Sequence, residues 1–553
     1  MSLMIAGRRH CRGPRISPRT PINWLTIATF SWRPLAVLGL AQFLMVLDTS
    51  VMNVSISQLV DDFDTDVTAI QSVITLYTLV MAAFMITGGK LGDLWGRRRA
   101  FVVGMAVYGV GTSLTAVAPT LWALVLGWSV IEGLGAVLVL PSLAALVGAN
   151  YTGKARATAY GVIGGVAGAG IAVGPLLGGW VTTYLTWRLV FAGEAVLVVV
   201  ILLLTSWIRD VPARRTRLDG VGAALSAAGM ALVVLGVLQS STWGWLRPRD
   251  TPVEIFGFAP TLFVVAGGAA LLACFLAWIR HREAAGRQPL VEPVLLAAPP
   301  LRAGLSMLFV QNLVLLGVFF AIPLYVQVVL GLDAFETGLR LLPASVGMVV
   351  AAAAGSVLGR LAGPRRIVQL AVATVVAAVL WLVSTVRPSL DEVSFSLAMA
   401  LFGIGMGLLA SQLGYVVQGS VREQERSEVG GLQYTAQNLG SSLGTALVGA
   451  VLIAALSGTF TDRITADPRI SDAVEQQATV RISAGITFVS TSDLRAALDR
   501  TAVPPAEVDA IVDGYAEAQL RSLRAALLAA AVFAAAGFLA TRRLPRGTPS
   551  PVE

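Results

Sequence analysis

From residue 34 to residue 541 the chain repeats one pattern, an apolar run of about 20 residues followed by a short polar break that carries the charge. A helical run of that length crosses a hydrocarbon core roughly 30 Å thick. Backbone polar groups in hydrocarbon can bond only within their own segment, so each run is predicted to be a helix. Membrane-spanning strands would give shorter runs of alternating polarity, and none occur. Composition agrees: 13% of the residues are charged, 56% are hydrophobic, and mean hydropathy is +0.76. A water-soluble chain of 553 residues would need far more charge on its surface.

Fourteen runs can be read, at 34–55, 70–91, 100–117, 121–149, 157–183, 189–208, 219–239, 255–279, 303–330, 337–359, 367–386, 393–418, 428–458 and 522–541. The expected fold class is an all-α integral membrane protein with 14 transmembrane helices. An even count puts both termini on one side. Of the 40 Lys and Arg residues, 28 fall on the side of the termini, among them Arg8, Arg9, Lys90, Arg97, Arg98, Arg99, Arg214, Arg215, Arg365, Arg366, Arg542 and Arg543. Five fall in the opposite short breaks (Arg188, Arg247, Arg249, Arg340 and Arg387), and seven lie in or beside the long segment 459–521. Positive residues stay cytoplasmic because carrying them across during insertion is costly. The reading is a multi-pass cell-membrane protein with both termini cytoplasmic. The net charge of +8 then reports topology and contact with the lipid bilayer. Spread over many short breaks, it forms no stripe for nucleic acid. The basic arm 1–33 has no apolar core ahead of a cleavage site, so no signal peptide is expected. Cys11 and Cys274 fall on different sides of the hydrocarbon boundary, and no disulfide is expected.

An internal repeat organises the runs. "GGKLGDLWGRRR" (88–99) aligns without a gap on "GSVLGRLAGPRR" (355–366), matching Gly88 to Gly355, Gly92 to Gly359, Gly96 to Gly363 and Arg98–Arg99 to Arg365–Arg366. Each copy follows the second run of a six-run block. The expected organisation is therefore a cytoplasmic arm 1–33, a six-helix bundle over 34–208, an inserted pair over 219–279, a second six-helix bundle over 303–541 and a tail 542–553. The two bundles should be pseudo-symmetric, an arrangement typical of secondary transporters. Segment 459–521, with ten acids and six arginines, is predicted to be external. It reads as a small lid or an inert insertion in preference to a functional loop, with short helices in "STSDLRAALDR" and "PPAEVDAIVDGYAEAQL" started by Ser492 and by Pro504–Pro505.

Two acids lie deep in apolar runs, Asp48 in the first and Glu132 in the fourth, and Glu194 lies a few residues into the sixth. An ionisable group at the bilayer centre costs at least roughly 2.5–3.5 kcal/mol and is read as functional by default. Burial disfavours the charged form of a carboxyl, so such a group can take up and release a proton. Asp48 and Glu132 are expected to carry protons, one or both also facing cationic substrate. Glu194 is a third candidate, near enough to a span end to meet interfacial water. Candidate cavity residues are the polar and aromatic side chains of the core runs: Gln42, Asn53, Tyr77, Gln311, Asn312, Phe319, Tyr325, Gln327, Gln433 and Gln437. Such a lining would accept flat amphipathic molecules.

Four stretches carry a family resemblance. "GGKLGDLWGRRR" resembles the signature loop of the major facilitator superfamily, with Gly89, Asp93, Gly96, Arg97 and Arg98 in place. "AGIAVGPLLGG" (169–179) resembles the antiporter motif of helix 5, with Gly170, Gly174, Pro175, Gly178 and Gly179. "LAQFLMVLDTSVMNVSI" (40–56) resembles the helix 1 motif of the fourteen-helix drug:proton antiporter branch, and 319–344 resembles the stretch that opens the second half. The resemblance covers nearly the whole chain. It implies a cytoplasmic latch in which Asp93 meets the N-terminus of span 13, near Ser427, when that side is closed. It also implies that helix 5 packs against the second half. The second copy carries Arg360 where the first has Asp93. The family usually carries an arginine in helix 4 where this chain has Ser129, and the run 121–149 holds no basic residue, which throws the coupling onto Asp48 and Glu132.

The function expected is proton-coupled efflux, by alternating access, of amphipathic cationic or neutral small molecules by a monomer. A lipid or lipid-precursor translocase on the same scaffold is the first alternative, and a non-transporting membrane sensor or scaffold the second. No catalytic residues, metal ligands or cofactors are expected. There is no P-loop, helix 5 lacks the strand and spacing of a dinucleotide fingerprint, and the two histidines, His10 and His281, join no nucleophile constellation.

Overall fold

Fourteen long helices occupy the fourteen apolar runs of the computed structural model, numbered here α1 to α14. It describes residues 31–545 apart from 152, 211–212, 214–217, 247, 249–250, 252, 422–425, 473, 477–487 and 502. The arm 1–30, the tail from 546, and Arg214, Arg215, Arg247 and Arg249 lie outside the described residues. The first block is α1 (Trp32–Val54), α2 (Val67–Trp95), α3 (Arg97–Ala116), α4 (Leu121–Asn150), α5 (Gly153–Tyr184) and α6 (Arg188–Leu204). The inserted pair is α7 (Gly220–Trp243) and α8 (Pro260–Ala284). The second block is α9 (Pro299–Val329), α10 (Ala334–Ala362), α11 (Pro364–Thr385), α12 (Glu392–Gly419), α13 (Arg426–Ala466) and α14 (Pro505–Ala540). Thirteen of the helices are long and apolar enough to cross a membrane. The other is α3, whose first turn is Arg97–Arg99 and whose remainder is diluted by glycine, threonine and tyrosine.

The helices alternate in direction. The end where α1 begins is called basal, and the end where it stops distal. Segment 459–521 is not the separate loop that the sequence suggested. α13 runs on to Ala466 and α14 starts at Pro505, so the flanking helices absorb much of it. A short helix, Thr491–Leu498, lies between them, and its N-cap is Ser490 rather than Ser492, because the Ser490 hydroxyl accepts from the Asp493 amide. Ion pairs Arg463–Glu517, Arg469–Asp513 and Arg495–Asp509 hold this distal extension together.

The repeat is visible in the backbone. Gly96 joins α2 to α3 at φ +90°, and Gly363 joins α10 to α11 at φ +79°, a region that side chains rarely tolerate. Helix pairing repeats as well. In the first block α1 packs on α5, α2 on α4, α3 on α4, and α6 on α3 and α1. In the second block α9 packs on α13, α10 on α12, α11 on α12, and α14 on α11 and α9. The bundles meet along two seams that exchange under the same pseudo-twofold, α2 against α13 and α5 against α10. α7 lies across the first seam, touching both α2 and α13.

The bundles are locked together at the distal end. α9 ends in a π-helical segment, Tyr325–Val329, that carries Gln327. The Gln327 amide donates to the Val54 carbonyl at 3.0 Å and accepts from the Ser57 hydroxyl at 2.6 Å. Nearby, the Phe335 amide donates to the Thr183 hydroxyl at 3.1 Å, and Tyr184 packs edge-on against Phe335. Deeper bonds join Gln71 to the Thr445 carbonyl, Ser345 to the Ile171 carbonyl and Ser442 to the Thr75 carbonyl. Among the described residues, no hydrogen bond joins the two bundles nearer the basal end than these. The state seen is therefore closed at the distal end. Replacing Gln327 by leucine removes the strongest distal tie. In that variant, spin labels at Leu185 and Ser389 should show a several-fold larger long-distance population than in the parent; an unchanged distribution would show that Gln327 holds nothing shut.

Candidate functional site

Three helices bring Asp48, Glu132 and Glu194 into one cluster. Asp48 lies near the distal end of α1, and Glu194 early in α6. Glu132 closes a π-helical segment of α4, Val125–Glu132. Such segments widen the helical turn and recur at functional sites. Asp48 and Glu132 are 0% exposed and Glu194 is 3% exposed. One carboxylate oxygen from each lies within 4.8 Å of the others.

Glycine makes this approach possible. A Cβ on Gly111 of α3 would sit 2.6 Å from the Glu132 amide nitrogen, and one on Gly135 of α4 would sit 2.5 Å from the Tyr108 nitrogen. The backbones of α3 and α4 therefore nearly touch. That contact aims Tyr108 and Thr112 of α3 at Glu194. The Tyr108 hydroxyl donates to Glu194 Oε2 at 3.4 Å. The Thr112 hydroxyl is 3.3 Å from Glu194 Oε2 and equally 3.3 Å from the Phe191 carbonyl. On the other side, the Trp128 indole donates to Asp48 Oδ1 at 2.8 Å, and its ring lies flat on Tyr77 with centroids 4.5 Å apart.

The remaining oxygens are bare. Asp48 Oδ2, both Glu132 oxygens and Glu194 Oε1 have no hydrogen-bond partner. Among the described residues, no Lys, Arg or His pairs with any of the three acids. Two unit charges at this separation repel by roughly 3–4 kcal/mol even at an effective dielectric of about 20. Burial adds a desolvation cost for each charge. The three cannot all be ionised together, so the arrangement suits carboxyls that share and exchange protons. Ser129, standing where the helix 4 arginine was expected, donates to the Val73 carbonyl at 2.8 Å and ties α4 to α2. No cation enters the cluster from that position.

The placement changes several expectations. Glu194 is buried with the other acids and does not reach interfacial water. Asp48 and Glu132 point into the first bundle and are sealed from solvent, so neither presents a carboxylate to a substrate in the state seen. Tyr77 belongs to the cluster and not to a cavity wall. Tyr325 is buried, with its hydroxyl 2.8 Å from the Arg387 carbonyl, and it fastens α9 to the end of α11. Gln327 is the distal tie. Gln311 donates to the Met406 carbonyl inside the second bundle, and Asn53 and Asn312 each bond the carbonyl one turn back in their own helix. Phe319 packs on Phe402, and Gln42 is 7% exposed with an unpartnered Oε1. Gln433, bonded to Gln418, and Gln437 remain half-buried.

The signature loop is packed more tightly than a topological turn requires. A Cβ on Gly89 would touch Pro141, and one on Gly92 would meet the Arg97 side chain. Arg97 is buried, bonds the Gly89 carbonyl at 3.0 Å and pairs with Asp93. The Arg98 amide donates to Asp210. The expected contact of Asp93 with the start of α13 is absent among the described residues, and its carboxylate pairs with Arg97 one turn on. Lys90 and Asp93 still lie close enough to Glu428, in the first turn of α13, for their charges to act on it. In α5, Gly170, Gly174 and Gly178 face Val46, Ser50 and Val51 of α1. Gly179 meets the Ala334 carbonyl, and the Pro175 carbonyl meets Gly338, so the same motif packs on α10 as well.

Sequence reasoning missed Trp128, Tyr108, Thr112 and Ser57. Trp128 was findable, four residues before Glu132 and hence on its side of the helix. Nothing in the linear pattern placed α3 beside α6.

Residues 38–445 match the profile of the Major Facilitator Superfamily. The chain is 29% identical over 465 residues to the tetracenomycin C resistance and export protein of Streptomyces glaucescens, covering 81% of this chain and 82% of that one. It is 31% identical over 425 residues to the cephamycin export protein of Amycolatopsis lactamdurans, covering 76% and 84%. A bacterial homolog of the human lysosomal transporter Spinster, solved inward-facing and unoccupied, superimposes with a TM-score of 0.58 at 16% identity, covering 93% of this chain and 98% of that chain.

The packing of α3 on α4 can be tested directly. Gly111→Val forces a side chain into the Glu132 backbone, and overpacking of this kind costs about 1–3 kcal/mol. The purified variant should melt several degrees lower than the parent in the same detergent. Equal melting temperatures would show that the helices are not in contact there.

Proposed function

The chain belongs to the Major Facilitator Superfamily, and on that premise we propose that it exports amphipathic small molecules in exchange for protons. That it is a multi-pass membrane transporter and not an enzyme follows from the family and its relatives. The exchange with protons is our reading, and the observation that carries it is the carboxyl cluster. Three acids buried in one bundle, with no counter-cation among the described residues, cannot all stay ionised and must hold protons, and the Trp128 donor to Asp48 and the Tyr108 and Thr112 donors to Glu194 do not fix these two as anions.

The cycle follows from how α1 is shared. One face of α1 carries Asp48 to Trp128. Another packs on the α5 glycines, and its distal end is held by Gln327 and, through Ser57, by the second bundle. Proton gain or loss at the cluster changes the electrostatic demand on α1 and thereby on the distal tie. Outward opening would break the Gln327 bonds and bring the basal ends together, letting Asp93 leave Arg97 for the start of α13. With the basic clusters cytoplasmic, the basal end is the cytoplasmic one and the state seen faces inward. Half-buried Gln433, Gln437 and Asn312 are the cavity candidates that remain open to a substrate. The relatives' names include tetracenomycin C and cephamycin export, which supports cargo of antibiotic size. We take the working unit to be a monomer.

A substrate panel on cells expressing the chain, with and without an uncoupler, should show efflux that the uncoupler abolishes; a sodium gradient sustaining full transport in its place would overturn proton exchange. In proteoliposomes, Asp48→Asn should cut proton-gradient-driven transport by at least about tenfold, equivalent to roughly 1.4 kcal/mol in the driven step. Undiminished driven transport in this variant would remove Asp48 from the coupling.

A further inference from the structure

The three acids do not have equivalent partners, and the difference separates their roles. Asp48 faces an indole N–H, which can donate but never accept. If Asp48 binds a proton, Trp128 offers that proton nothing to bond, and Asp48 Oδ2 makes no hydrogen bond in the state seen. Glu132 has no partner on either oxygen. Glu194 is the member that accepts bonds from two hydroxyls, which can both donate and accept; the Tyr77 hydroxyl near Asp48 and the Tyr108 hydroxyl near Glu132 make no such bond in the state seen. One of them, on Thr112, stands equally close to Glu194 Oε2 and to the Phe191 carbonyl, with a single hydrogen to place.

We propose that Glu194 is the member of the cluster that loads and unloads the proton, and that Thr112 is the positioning residue that lets it do so. With Glu194 ionised, Thr112 donates its hydrogen to Oε2. When a proton bonds to Oε2, the Thr112 hydroxyl turns its hydrogen to the Phe191 carbonyl, and its lone pair accepts the new O–H. One hydrogen bond replaces another in each direction, so neither the Thr112 hydrogen nor Glu194 Oε2 loses its partner in either state. No covalent bond other than the carboxyl O–H forms or breaks. Tyr108, donating to the same oxygen, gives the ionised state a second donor. Trp128 has no such freedom, so it holds Asp48 in one orientation while the proton arrives elsewhere. The assignment rests on the proton-exchange reading of the cluster and adds to it a division of labour among the three acids.

The test needs no substrate. Infrared difference spectra of the purified full-length protein in lipid, taken between acid and alkaline pH, report the C=O stretch of carboxyls that gain or lose a proton. The band that titrates should vanish in Glu194→Gln and persist in Asp48→Asn and Glu132→Gln. It should move in frequency in Thr112→Val, which keeps the shape and loses the hydroxyl, and return in Thr112→Ser. A band that survives Glu194→Gln and vanishes in Asp48→Asn or Glu132→Gln would overturn the assignment while leaving proton exchange intact. A band unmoved in Thr112→Val would overturn the role of Thr112. Absence of any titrating carboxyl in the parent would defeat both this assignment and the proton-exchange reading beneath it.

Discussion

An acidic side chain in hydrocarbon without a counter-charge is the constraint around which the first bundle is arranged. Three such groups converge here, and among the described residues no cation pairs with any of them. What it supplies is neutral: an indole N–H on Asp48, two hydroxyls on Glu194, and close-packed helix backbone around Glu132. A fixed ion pair would hold each carboxylate charged throughout. Neutral donors support the acids without committing them to one protonation state, which is the property a proton-exchanging element requires.

Glycine determines how near the supporting helices can come. Gly111 and Gly135 press α3 onto α4, which turns Tyr108 and Thr112 towards α6. Gly170, Gly174 and Gly178 press α5 onto α1 on the far side from Trp128. α1 is thus held between a titratable face and a rigid glycine face, with its distal end tied to the second bundle through Gln327. A disturbance at Asp48 has few routes to dissipate before it reaches that tie. The π segments of α4 and α9 sit at the two ends of this connection, one bearing Glu132 and the other Gln327.

The pseudo-twofold is kept in the scaffold and broken in the chemistry. Helix pairing and the positive-φ glycines at 96 and 363 repeat. The acids do not: among the described residues, the buried polar side chains within the second bundle are neutral, such as Gln311 and Gln412. Arg360 takes the position that Asp93 holds in the first copy. The inserted pair adds a second asymmetry, since α7 lies across the α2–α13 seam. One bundle therefore carries the buried acids and the other carries the distal fastening of α1.

The residue order alone determined the membrane class, the number of long helices, the doubled block and the three acids, because each of these depends on hydropathy over one helix length or on a motif within one turn. Segment 459–521 was misjudged because helices that emerge from hydrocarbon lose their apolar signature while remaining helical; only packing shows that α13 and α14 continue into it. Tyr325 and Gln327 looked like cavity residues because a polar side chain in an apolar run has the same one-dimensional signature whether it faces a cavity, a neighbouring helix or the opposite bundle. Which acids meet, and that Trp128 and Thr112 meet them, depends on how helices distant in sequence rotate about their axes and on where glycine lets them touch. That information lies in pairwise contacts between surfaces, and no single stretch of sequence carries it.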